Sequence, residues 1–199
     1  MMTTFTGLTV NPFDLEPDDI QIEDIAHALA CVNRFNGMAA IPISVAIHSF
    51  YVSKLVSRKH ALQGLLHDAA EAYICDVTKW VKKTTAFTAY RELEKDIQER
   101  IFIKFECDVD MHPSVKEADD LMVRFEARES FTDFNFGGMS HLYPPITRLE
   151  KDRIRSASRN EMHGYEYFSW TVAKAIFSNR FLELTNEFED QSTESHQAR

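Results

Sequence analysis

The chain has 199 residues, 44% hydrophobic and 27% charged, the make-up of a globular protein with one sizeable core. Its 22 basic and 31 acidic side chains give a formal net charge of −9, which argues against nucleic acid polymers and anionic membranes as partners. A small phosphorylated ligand held by a local basic cluster stays compatible with that charge. Cys31, Cys75 and Cys107 form no disulfide framework, no basic-then-apolar leader opens the chain, and no segment is apolar for long enough to span a bilayer. The expected setting is therefore cytoplasmic.

Apolar spacing is helical nearly throughout. A first helix is predicted in "DDIQIEDIAHALACVNRF", where Ile22, Ile25, Ala26, Leu29 and Val32 share a stripe and acidic residues sit near the start, where the helix dipole favours them. "NGMAAIP" breaks it. Ser44 can cap a second helix, "SVAIHSFYVSKLVS", with a buried stripe of Val45, His48, Val52 and Leu55. A third helix holds "ALQGLLHDAAEAYI", and "CDVTKWVKK" reads as a connection. A fourth runs through "YRELEKDIQERIFIKF", and "DVDMHPS" is a turn with Ser114 as cap of a fifth, "VKEADDLMVRFEARESF". "DFNFGGMSHLYPPITR" reads as a long loop, followed by a last helix over roughly 160–188 and a disordered tail at 189–199. With no repeat or linker, the expectation is a single all-α domain over 1–188.

The stretch "LLHDAAEAYICD", residues 65–76, places His67, Asp68, Glu71 and Asp76 among apolar residues. Charges buried among such neighbours are costly unless paired or bound to a metal. On a continuous helix His67, Asp68 and Glu71 share a face. His48 lies on the apolar stripe of the second helix, and Asp119 on a stripe of the fifth with Val115 and Met122. Two imidazoles and two carboxylates from three helices suit Zn²⁺, Mn²⁺, Fe²⁺ or Co²⁺. Taken singly, each has a plainer reading: His48 as a hydrogen-bonded core histidine, Asp119 and Asp120 as a solvated pair, Asp76 as a turn cap, Glu71 as a salt-bridge partner of Arg34.

The order His48, His67-Asp68, Asp119 resembles the signature of the HD-domain metal-dependent phosphohydrolases, in particular short members found in phages and bacteria that act on deoxynucleotides. The resemblance rests on "IEDIAHALACVNRFNG", "SVAIHS", "LLHDAAEAYICD", Lys82 and "VKEADDLMVRFEAR", motifs within 22–130. It implies His48, His67, Asp68 and Asp119 as metal ligands, with Glu71 and Asp76 orienting or deprotonating the attacking water. It implies Arg34 and Lys82 as clamps on substrate phosphate, with a second metal such as Mg²⁺ near Glu71 and Asp76 as a further option. Phe35 stands beside Arg34, Lys79 joins Lys82 and Lys83 in a basic patch, and Trp80 offers a face for a base.

Two reactions follow from the resemblance. One is triphosphohydrolysis, most readily of dATP to deoxyadenosine and inorganic triphosphate; the other is 5′-nucleotidase action on deoxynucleoside monophosphates. A non-catalytic nucleotide-binding module is the alternative from another class. The implied partner is a small deoxynucleotide in the cytoplasm, the host's if the chain is phage-encoded. The resemblance also implies a homo-oligomer, for which Phe134, Phe136, Tyr143, Phe168 and Trp170 are interface candidates. Three departures touch the substrate pocket: Cys75 stands where the related sequences carry glycine, "DVTKWVK" lacks the prolines they often have there, and Met38 stands where many phage members carry histidine.

Overall fold

The computed structural model describes residues 1–131, 143–158 and 168–197, with side chains described to 186. An N-terminal hairpin pairs β1, Met2–Thr3, with β2, Thr9–Val10, in antiparallel register. Its turn is tied down by Thr6, whose N–H and hydroxyl both donate to the buried carboxylate of Asp24, at 2.7 and 2.9 Å. The rest of the described chain is helical: α1 Ile22–Cys31, α2 Val45–Leu55, α3 Ala61–Leu66, α4 Glu71–Ile74 and α5 Lys79–Lys82. These are followed by α6 Thr88–Lys104, α7 Pro113–Ser130, α8 Arg148–Ser158 and α9 Trp170–Gln197. No helix among the described residues is long and apolar enough to cross a membrane.

The helix α2 is the centre of the fold. Every residue from Val45 to Ser53 is buried, as expected of a helix with neighbours on all sides. It packs against α1, α3, α7, α8 and α9. Ser44 caps it as predicted, its side chain accepting from the Ile47 N–H. The approach to α3 is tight: a Cβ on Gly64 would lie 3.2 Å from the Ser53 Cα. α9 is anchored to the same helix through the buried Arg180, whose Nε donates to the Ser53 hydroxyl at 3.1 Å.

Several expected boundaries shift. The third predicted helix is broken, because residues 67–70 form turns between α3 and α4. The connection at 75–83 contains the short α5. His112, not Ser114, caps α7: its side chain accepts from the Ser114 N–H, and Pro113 occupies the first turn, where no donor is needed. The amphipathic α8 is an element that the breaker pattern concealed, with Ile154 buried beneath it. α9 begins at Trp170 and continues to Gln197, through most of the segment expected to be a tail. The loop candidates Phe134 and Phe136, and the expected helical stretch 160–167, lie outside the described residues. Trp170 is half-exposed, edge-on to His27 at 5.3 Å, while Phe168 packs against the core.

Candidate metal centre

Three elements aim side chains at one point. His48 comes from the buried middle of α2, His67 and Asp68 from the break after α3, and Asp119 from the second turn of α7. His48 and His67 are buried with ring centroids 5.2 Å apart. Nε2 of His48 lies 3.1 Å from Oδ1 of Asp119 and 3.8 Å from Oδ2 of Asp68. Nε2 of His67 lies 3.1 Å from Oδ2 of Asp68 and 3.9 Å from Oδ1 of Asp119. Ligands about 2.1 Å from a shared ion and at right angles to it would be about 3.0 Å apart, so these spacings suit a common cation.

The other edge of each imidazole is already used. His48 Nδ1 is 2.8 Å from Oε1 of the buried Glu126, and His67 Nδ1 is 2.9 Å from the Gly64 carbonyl. Both partners are acceptors, so in the neutral ring Nδ1 carries the proton and Nε2 keeps its lone pair. Each Nε2 is buried without a hydrogen-bond partner, since the carboxylates beside them lie off hydrogen-bonding geometry. Two orphaned ring nitrogens facing carboxylate oxygens form a donor set that fits a divalent metal. His48, His67 and Asp68 form a group whose candidate ligand atoms lie within 4.8 Å of one another.

Carboxylates outnumber fixed cations here. Burial opposes a charge on His67, yet Asp68, Asp119 and the Gly64 carbonyl together outweigh it and lift the metal-free imidazole to about 9, so a cation would take the place of a proton at Nε2. Burial likewise opposes a negative Asp119, but His48 and His67 hold its carboxyl below the usual range. Glu71 is different. Burial, with Asp68 and Asp76 nearby, pushes its carboxyl well above the ordinary value, and its Oε2 has no hydrogen-bond partner. Burial also raises Asp76, outweighing the opposing effect of Arg34.

The predicted substrate residues separate into two sets. Arg34 and Lys82 belong to the cluster. Arg34, held by its backbone against Ile43, donates from Nε to Oε2 of Glu126 at 2.9 Å and approaches Asp68 at 3.5 Å. Lys82, not Arg34, is the partner of Glu71, at 3.3 Å, and it also binds Glu94. Lys79 and Trp80 stand outside. Lys79 is 70% exposed and reaches Asp120 at 3.8 Å, while Trp80 is 52% exposed beneath Lys83. The basic patch therefore does not act as a unit. Phe35 turns its ring toward Phe131 at 5.5 Å, with the Arg34 guanidinium 5.8 Å away.

A cleft of about 440 Å³ opens beside the cluster, with His67, Asp68, Glu71 and Lys82 on one wall and Glu94 and Gln98 of α6 on another. Glu126 was missed by the sequence reading, and Cys75 was marked there only as a replaced glycine. Glu126 fixes both His48 and Arg34, and its place seven residues after Asp119, two turns along one face of α7, is the signal that points to it. Cys75 has φ +67° and ψ 161°, a conformation that glycine alone adopts freely, and its carbonyl accepts from the Tyr90 hydroxyl at 2.6 Å.

No family model matches the chain. It is 35% identical over 126 residues to the uncharacterized protein YfdR of Escherichia coli (strain K12), a match covering 63% of this chain and 70% of YfdR. It is 33% identical over 137 residues to the uncharacterized protein RCAP_rcc00048 of Rhodobacter capsulatus, covering 62% of this chain and 69% of that one.

Proposed function

The chain belongs to the family of YfdR and RCAP_rcc00048, and we propose that it is a divalent-metal phosphohydrolase of HD-domain type acting on a small deoxynucleotide. The observation that carries this reading is the pair of buried imidazoles, each fixed through Nδ1 and each presenting an unpartnered Nε2 beside Asp68 and Asp119. Zn²⁺, Co²⁺, Mn²⁺ or Fe²⁺ would be held by His48, His67, Asp68 and Asp119. When bound, such an ion supplies Lewis acidity toward water and a phosphoryl oxygen. The free thiols Cys31, Cys75 and Cys107 support a reducing, cytoplasmic setting.

Around that ion the protein's own groups divide the work. Glu71 takes the proton of the attacking water, a role suited by a carboxyl held above its ordinary range. Asp76 keeps Glu71 in that range and orients the water. Water adds to the phosphorus bearing the 5′ oxygen, the bond to that oxygen breaks, and the proton passes to the departing deoxynucleoside. Arg34 and Lys82 stabilise charge on the phosphate oxygens, and Lys82 exchanges part of its bonding to Glu71 and Glu94 for substrate. The cleft beside the cluster is large enough for a nucleotide-sized ligand.

Within this class the reaction proposed is release of inorganic triphosphate from dATP. One observation favours the 5′-nucleotidase reading. Of the lysines suited to β- and γ-phosphates, Lys79 faces outward and Lys82 is shared by two glutamates, while Glu94, Glu99 and Asp110 offset Arg91 and Lys95 in the cleft lining. Incubating metal-loaded protein with deoxynucleoside mono-, di- and triphosphates and identifying the phosphorus product decides between them. Inorganic triphosphate from dATP is the expected product. Orthophosphate from monophosphates alone selects the second reading, and no turnover with any of the four metals contradicts both.

A further inference from the structure

Between Leu66 and Glu71 the chain leaves the helix, although "LLHDAAEAYI" is a helix-forming sequence throughout. In an unbroken α-helix the Ala70 N–H would donate to the Leu66 carbonyl. Both groups are instead bonded to one side chain from another helix. Gln98 of α6 accepts from the Ala70 N–H through Oε1 at 3.1 Å and donates from Nε2 to the Leu66 carbonyl at 2.8 Å. A side-chain amide thus occupies the place of a single helical hydrogen bond, one of the recognised causes of a local helix break.

Around this insertion the backbone tightens to bonds three residues apart. Ala69 N donates to Leu66 O at 3.0 Å, Glu71 N to Asp68 O at 3.1 Å, Ala72 N to Ala69 O at 3.1 Å and Tyr73 N to Ala70 O at 3.0 Å. In such winding, side chains three apart eclipse, which stands Glu71 over Asp68. Adjacent residues on a regular helix diverge by about 100°, yet His67 Nε2 and Asp68 Oδ2 converge to 3.1 Å here.

We infer that Gln98 is a positioning residue for the proposed metal centre: its inserted amide holds the 67–70 turn open so that two consecutive side chains reach the point shared with His48 and Asp119. The inference rests on reading that cluster as a metal site. It makes α6, which contributes no ligand, a determinant of metal affinity. Gln98 matches both backbone groups because a primary amide offers one donor and one acceptor.

The test is Gln98→Leu, which keeps the bulk and removes both polar atoms, with Asp96→Asn as control, an exposed change on the same helix outside the cleft. The metal-free variant is expected to keep wild-type helical circular dichroism while the amide NMR shifts of residues 67–71 move. Its Co²⁺ affinity is expected to fall roughly 10- to 100-fold, the range for groups that orient ligands from behind, with a weakened visible cobalt absorption. Asp96→Asn should change neither. Should Gln98→Leu not fold, Gln98→Met gives the same readouts. Wild-type Co²⁺ affinity with unmoved 67–71 shifts would overturn the inference. If wild-type protein itself binds no Co²⁺, the metal reading falls instead, and the NMR shifts separately report whether Gln98 shapes the turn.

Discussion

The cluster around His48 and the turn at 79–83 are both dense in charge, and the fold treats them in opposite ways. In the cluster, the imidazoles of His48 and His67 and the guanidinium of Arg34 are buried and each is held by an acceptor behind it. At the turn, Lys79 reaches Asp120 only at 3.8 Å across solvent, and Lys83 lies over a half-exposed Trp80. Lys82 alone crosses between the two, drawn inward by Glu71 and Glu94. Charge acquires directed chemistry where burial removes water as a competing partner and leaves fixed geometry in its place.

The contrast is open to measurement. Glu126→Ala should cost about 3–5 kcal/mol in denaturant unfolding, because it leaves Arg34 and His48 Nδ1 buried without their carboxylate. Glu126→Gln, which retains one acceptor, should cost less. A loss below about 1 kcal/mol for the alanine variant would place the cluster with ordinary surface charges.

Cys75→Gly should act in the other direction. Release of the positive-φ strain is worth about 1–3 kcal/mol, and the added backbone freedom of glycine takes back about 0.5–1 kcal/mol. A higher Tm is therefore expected, and a lower one would mean that the cysteine side chain itself holds the turn before Asp76.

A smaller effect is expected at a surface pair. The Arg124 guanidinium, with Thr147, holds the Glu150 carboxyl at about 2, below its ordinary 4.5. A depressed carboxyl stabilises the fold above its unfolded value, and that contribution is lost as pH falls from 4.5 toward 2. Glu150→Gln should flatten this part of the acid-unfolding curve and lower stability at neutral pH by up to about 1 kcal/mol, because the contribution it removes is present there. Smallest of all, Lys79→Ala and Trp80→Ala should each stay within about 0.5 kcal/mol of wild type and preserve turnover. A fall in turnover would return the exposed turn to the substrate.

Much of the fold was legible because α1, α2, α6 and α7 carry apolar stripes or caps of their own. The all-α class and the juxtaposition of His48, His67, Asp68 and Asp119 follow from those patterns taken with the motif order. The break at 67–70 was not legible, since its cause is Gln98, a residue roughly thirty positions away whose amide substitutes for a local bond. Glu126 was hidden differently. In "VRFEARES" it looks like one more solvated charge, and only continuing the buried face from Val115 through Met122 brings it inward. α8 buries Ile154 but is otherwise strongly polar, so the Pro-Pro breaker before it dominated the reading.

The most direct test of the central claim is titration of metal-free protein with Co²⁺, followed by visible absorption, alongside His48→Ala and His67→Ala. The account predicts a single tightly held ion per chain in the wild-type protein, with ligand-field bands that disappear in both variants while their helical content persists. Absence of stoichiometric binding, or binding that survives loss of either imidazole, would contradict it.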